Sequence, residues 1–163
     1  MDGSIGILPF FMSLKDRNKL PITDKGMTRF MISLEQGVDL VWRALKDMVG
    51  GEIYVKKIPS IKVTDIAKVI APEAKHEIIG IRPGEKMHEQ MIGKDDSYST
   101  YEYSSYYKIL PQINNWGKDS SRIKDGIKVP EDFIYSSDNN QEWMTKDELK
   151  AWIDNNHHNI GKI

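Results

Sequence analysis

The sequence predicts an α/β fold. Short apolar runs of strand length alternate with stretches whose apolar residues recur every three or four positions, through residues 5–92. Turn chemistry separates them: Asp24-Lys25-Gly26, Gly50-Gly51 and Arg82-Pro83-Gly84. The 163 residues suffice for a real core, and 39% hydrophobic and 29% charged content is ordinary for a globular chain.

The elements follow in order. Residues 5–14 are apolar with Pro9 near the start, which predicts a short helix. "LPIT", residues 20–23, reads as a strand or extended loop. From Thr28 to Val49 the apolar spacing of Phe30, Met31, Leu34, Val38, Val41 and Leu45 predicts one long amphipathic helix, ended by Gly50-Gly51. "EIYVKKI", 52–58, is a strand. "VTDIAKVIA", 63–71, is a helix with Thr64 as N-cap and Pro72 beyond it.

"HEIIGIR", 76–82, predicts a second strand and "GEKMHEQMI", 84–92, a short helix. The tyrosine-rich "SYSTYEYSSYYKIL", 97–110, alternates enough for one or two antiparallel strands. Residues 111–136 read as irregular. Thr145 with Glu148 forms a capping box, and Met144 with Leu149 a hydrophobic staple, so a helix closes the chain. Residues 155–163 read as a frayed tail, and 1–163 as a single region.

Composition bounds the function. The 23 basic and 24 acidic side chains nearly cancel, leaving no electrostatic footprint for nucleic acid. Zero cysteines exclude a disulfide framework and any thiolate chemistry, which fits the cytoplasm. No apolar run reaches the roughly 20 residues of a membrane span, and the start lacks the basic leader of a signal peptide.

Several motifs are missing. There is no Gly-rich turn between a strand and a helix, no P-loop, and no serine in a nucleophile elbow. No tyrosine is followed four positions on by a lysine. "HEQM", 88–91, lacks the second histidine of a zinc-protease helix, and adjacent His157 and His158 share no face. No metal ligand set and no catalytic residue is therefore expected.

Two arginines stand out. Arg82 sits where a strand gives way to a Pro-Gly turn, with Glu85 next, and ligands in α/β sheets gather beyond the carboxyl ends of strands. Arginine there suits a phosphate and the acid suits sugar hydroxyls, but local chemistry alone favours a surface ion pair, with Glu85 serving the helix dipole. Arg29 falls at the expected start of the long helix, the wrong end for a cation. A ligand or a salt bridge would each explain it. Together they could clamp a diphosphate.

The ordered set "PITD…MTRF", "GGEI…KIPS", "TDIAK" and "IRPGEKMHE" resembles the C-terminal third to half of UDP-N-acetylglucosamine 4,6-dehydratases of the inverting type, within the extended short-chain dehydrogenase/reductases. The resemblance runs from Leu8 to Lys94 and resumes near Ser137. It implies the substrate-binding part of a fold whose N-terminal Rossmann part, with the NADP site and the Tyr/Lys pair, is missing here. The family oxidises C4 of the sugar, eliminates water across C5 and C6, and returns the hydride to C6 with inversion at C5. The pathway implied is surface glycan synthesis: pseudaminic acid and flagellin glycosylation.

By position the resemblance assigns Arg29 and Arg82 to the UDP diphosphate and Glu85 to the ribose, with Pro21, Thr23, Pro9 and Phe10 near uracil and sugar. It implies UDP-N-acetylglucosamine as ligand, a Rossmann-domain partner chain, and a homo-oligomer in the full-length family. The chain departs from the family at Ser4, Gly6 and Gly26. A non-catalytic UDP-sugar or oligomerisation module, or a degenerate remnant, is the alternative.

Overall fold

The computed structural model describes residues 6–113 and 119–156. His157, His158, Trp116 and Ser4, and all of the expected frayed tail except residues 155 and 156, lie outside them. The chain divides into two compact units, where the sequence suggests one region. One comprises Met1–Met31, Pro59–Glu89 and Gln141–Ile163; the other comprises Ile32–Ile58 and Gln90–Asn140.

The first unit holds α1 (Ile7–Ser13), β1 (Lys19–Ile22), β2 (Thr28–Phe30), β4 (Ser60–Lys62), α3 (Val63–Ile70), β5 (Lys75–Ile78) and α6 (Lys146–Asn156). Pro9 lies in the first turn of α1, where a missing N–H costs nothing, and Leu8 and Phe11 share its buried side. β1 alternates, with Leu20 and Ile22 fully buried. It pairs in parallel with β5 in the register Leu20↔His76 and Ile22↔Ile78, while β2 pairs antiparallel with β4.

These elements close on one core: Leu8, Phe11, Leu20, Ile22, Met27, Ile61, Val63, Ile66 and Leu149 among others. α6 begins with the expected capping box, since the Glu148 N–H donates to Thr145 Oγ1 (3.2 Å) and the Thr145 N–H donates back to Glu148 Oε2 (2.7 Å). Leu149 is fully buried and Met144 packs on the same cluster, as the staple requires.

The second unit holds α2 (Leu34–Asp47), β3 (Ile53–Lys56), β6 (Gln90–Ile92), α4 (Lys94–Ser97), β7 (Thr100–Glu102), β8 (Tyr106–Ile109), α5 (Ser120–Ile123), β9 (Ile127–Lys128) and β10 (Tyr135–Ser136). An antiparallel sheet runs β3-β8-β7-β9, and β6 pairs with β10. The tyrosine-rich segment does form strands, with Tyr103 and Tyr106 stacked at 4.5 Å.

Five expectations need correction. The helix expected over 28–49 starts only at Leu34, capped by Ser33, whose side chain accepts from the Gln36 N–H. Residues 28–30 are instead strand β2, because β4 offers them a backbone partner. The helix expected over 84–92 does not form: its end is strand β6, and Gly84 holds φ +82°, which an α-helix cannot accommodate. The strand expected over 76–82 stops at Ile78. α3 starts at Val63, so Thr64 lies inside it and caps nothing, and 111–136 contains three short elements.

A buried polar cluster fixes the second unit. The Lys108 side chain is 1% exposed, and its Nζ donates to Asp47 Oδ2 (2.7 Å) and to the Arg122 carbonyl (2.6 Å). Tyr54 Oη also donates to Asp47 (2.7 Å), and Lys124 pairs with its other oxygen. Arg122 meets Glu52 at 2.6 Å, both buried. Burial alone would push the Asp47 carboxyl up, but hydrogen bonds from Lys108, Lys124 and Tyr54 outweigh it and hold it far below the usual carboxylate range.

Asp47→Ala strands a buried ammonium, so denaturant titration is expected to show a loss of about 3–5 kcal/mol. Because the folded carboxyl titrates below the unfolded one, this stabilisation is complete above about pH 4 and is lost as pH falls toward the depressed value. Asp47→Asn is therefore expected to flatten the fall in stability below about pH 4. An unchanged slope would show that Asp47 carries none of it.

Candidate functional site

All seven residues singled out in the sequence lie in the first unit. Parallel strands end on the same side, so the chain leaves β1 and β5 at one shared edge. After β1 comes Thr23. After β5 the backbone continues beside β1 for one more residue, with the Ile79 N–H donating to the Ile22 carbonyl (2.9 Å), and then reaches Arg82.

Residues 82–85 form a tight turn, closed by the Glu85 N–H donating to the Arg82 carbonyl (3.0 Å). Pro83 followed by Gly84 at φ +82° is the pattern of a type II turn, in which the third residue must accept a positive φ. The turn aims Glu85 back at β1, where its Oε1 accepts from the Thr23 hydroxyl (3.1 Å). The Arg82 side chain is exposed, and no hydrogen bond or ion pair to its guanidinium is seen among the described residues.

The next segment is stitched to β2. The Thr28 N–H donates to the Met87 carbonyl (3.1 Å), Thr28 Oγ1 meets His88 Nδ1 (2.7 Å), and the Phe30 N–H donates to Glu89 Oε2 (2.8 Å). Between them Arg29 is 15% exposed. Its Nη1 donates to the Thr28 and Met87 carbonyls (2.7 and 3.2 Å), and its Nε lies 3.8 Å from Glu89. Arg29 is thus a strand residue with a braced guanidinium, and not the start of a helix.

The structure joins Thr23 to Glu85, and Arg29 to the segment just past Glu85. Pro21 lies half-buried on β1; Pro9 and Phe10 ride on α1, Phe10 at the margin of the core. The contacts of His88 and Glu89 to β2 were not foreseen from the sequence, because a helix there would leave them with nothing to hold. Their polar side chains four and five places beyond a Pro-Gly turn were the available signal. A cleft lined by Lys15, Arg17, Asn18, Ala71 and Pro72 contains none of these residues.

Among the described residues no group of His, Asp and Glu could hold a metal, and no helix is long and apolar enough to cross a membrane. The described residues do not fit a nicotinamide dinucleotide either. Gly80 and Gly84 come after β5, but no helix starts behind them to receive a pyrophosphate.

A family profile described as "Polysaccharide biosynthesis protein" matches residues 1–111. The chain belongs to this polysaccharide biosynthesis family. It is 50% identical over 155 residues to a UDP-N-acetylglucosamine 4,6-dehydratase (inverting) of Campylobacter jejuni subsp. jejuni serotype O:2, covering 90% of this chain and 46% of that protein. It is 33% identical over 108 residues to a UDP-glucose 4-epimerase of Rickettsia akari, covering 63% of this chain and 32% of the epimerase. The X-ray structure of Pen from Bacillus thuringiensis matches 92% of this chain and 44% of its own at 31% identity and a TM-score of 0.73.

This member of the polysaccharide biosynthesis family therefore spans about half the length of the curated dehydratases it matches. Its fold is the C-terminal portion of an extended short-chain dehydrogenase/reductase.

The turn itself is testable. Gly84→Ala forces a left-handed backbone on a residue with a Cβ and is expected to cost about 1–2 kcal/mol in urea unfolding. No side-chain clash contributes, since nothing lies within 4 Å of the added carbon. A neutral substitution would mean that the turn relaxes to another type.

Proposed function

We propose that this chain is the substrate-binding part of a UDP-N-acetylglucosamine 4,6-dehydratase. The observation that carries the reading is the joining of residues 82–89 to both β1 and β2, together with 50% identity to an inverting dehydratase. Arg82 and Arg29 hold the diphosphate. Glu85 accepts from the ribose hydroxyls, using lone pairs left over from its bond to Thr23. Pro21, Thr23, Pro9 and Phe10 border the uracil and sugar.

The whole enzyme would remove water across C5 and C6 of the sugar, with inversion at C5, using a nicotinamide cofactor, NADP in this reading. In the dehydratases that this chain matches, the residues that hold that cofactor and move the hydride would lie in the part outside the match. What these residues supply is binding energy and orientation, spent on placing the hexose against the cofactor. We assign the reaction to the cytoplasm and to a surface glycan such as pseudaminic acid on flagellin. The working enzyme is a homo-oligomer.

Isothermal titration calorimetry of the full chain with UDP-N-acetylglucosamine, and with UDP alone, tests the reading. One charge-assisted contact contributes about 1.5–3 kcal/mol, so Arg82→Ala is expected to weaken binding by about 10- to 100-fold. Because Arg82 is exposed, circular dichroism should not change. Arg29→Lys keeps the charge but loses the planar fork and should also weaken binding. Equal affinities of wild type and Arg82→Ala would remove Arg82 from the site, and no heat from wild type at millimolar ligand would show that this chain does not hold UDP alone.

A further inference from the structure

The donors of the Arg29 guanidinium are unequally committed. Nη1 donates to the Thr28 and Met87 carbonyls, at 2.7 and 3.2 Å, which uses both of its hydrogens. Nε turns toward Glu89 Oε1 at 3.8 Å, an ion-pair distance. Nη2 makes no hydrogen bond among the described residues. Glu89 is the charged group among these partners, and β2 anchors it. Its Oε2 accepts from the Phe30 N–H at 2.8 Å, so the anchored carboxylate faces the guanidinium of the preceding residue on the same strand. The Met87 carbonyl is fixed too, because it also accepts from the Thr28 N–H at 3.1 Å. The Arg29 side chain is 15% exposed, and a cation so far from water needs a counter-charge.

We propose that Glu89 is the positioning residue of Arg29: it closes the Nε edge of the guanidinium, so that the cation meets an anion through Nη2. The inference rests on the reading of Arg29 as a contact of the UDP diphosphate. Arg29 then makes a single-nitrogen contact with a phosphate oxygen, not the two-nitrogen fork that an unbraced arginine offers.

The competing account is that Glu89 serves only the Phe30 N–H. One carboxylate oxygen would satisfy that donor, yet the other is turned to Nε. The two accounts differ in sign. A bystander carboxylate beside a phosphate-binding cation repels the phosphate, so removing its charge strengthens binding. A positioning carboxylate holds the guanidinium where the phosphate needs it, so removing its charge weakens binding.

Glu89→Gln separates them, since its amide oxygen still accepts from the Phe30 N–H while the charge is lost. Isothermal titration calorimetry of the full chain is expected to show UDP bound about three- to tenfold more weakly than by wild type. Uridine, which has no phosphate, should bind both equally. In an Arg29→Ala background the same substitution should have no further effect, because Glu89 acts through Arg29. In the ligand-free chain, heteronuclear NMR should show an Arg29 Nε–H signal that shifts and exchanges faster with water in Glu89→Gln. Should Glu89→Gln fail to fold, Glu89→Asp, which keeps a charged acceptor for the Phe30 N–H but is too short to reach Nε as well, carries the same comparisons.

UDP bound as tightly or more tightly by the variant overturns the inference. So does an equal loss for uridine, a loss that persists without Arg29, or an Nε–H signal indifferent to Glu89. A wild-type chain that binds no UDP, but whose Nε–H signal depends on Glu89, defeats the UDP reading and supports the positioning of Arg29.

Discussion

The parallel pairing of β1 with β5 is the constraint on which the candidate site depends. Leu20 and Ile22 are fully buried and set the strand's face. A slip of one residue would turn both toward solvent and put Lys19 and Pro21 inside, so the register is strongly held. Because the pairing is parallel, Thr23 and the Arg82–Glu85 turn leave from the same edge. Their hydrogen bond at 3.1 Å is a consequence of that topology, and it makes Glu85 a fixed acceptor where a loop carboxylate would otherwise be mobile.

Much of this was legible in the sequence because the signals were local. The run "LPIT" marked β1 as a strand or extended loop, the capping box marked α6, and Pro-Gly marked the turn. The errors arose where a distant partner outweighed local preference. Residues 28–30 extend the apolar spacing of α2, yet their backbone pairs with β4, about thirty residues on. "GEKMHEQMI" is rich in helix formers, but Gly84 has left-handed φ, Glu89 accepts from the Phe30 N–H on β2, and His88 Nδ1 meets the Thr28 hydroxyl instead of lining a helix. Sequence spacing could nominate Arg29 and Arg82. It could not show that one lies on a strand and the other on a turn.

That difference gives the two arginines different energetics. Arg29 has two backbone carbonyls on one nitrogen and a carboxylate near another, so its rotamer is settled before any ligand arrives. It loses little side-chain entropy on binding, but it offers fewer free donors. Arg82 keeps its whole fork and must be ordered by the ligand, at a cost of about 1.5–2 kcal/mol in the limit of full ordering. In the proposed diphosphate clamp, Arg29 would set the position of the anion and Arg82 would close over it.

The second unit reverses the usual division between inside and outside. Lys108 and Arg122 are buried while Trp42 and Val41 face solvent. The buried charges explain why the helix does not simply roll over to hide its stripe. At 3.6 residues per turn Asp47 lies about 140° around α2 from Trp42, and Asp47 is held by Tyr54, Lys108 and Lys124. Turning the stripe inward would tear that carboxylate from three donors and leave Lys108 uncompensated, a loss of about 3–5 kcal/mol before any packing is gained. The polar clamp at the end of the helix therefore fixes the rotation of α2 and keeps its apolar residues presented outward.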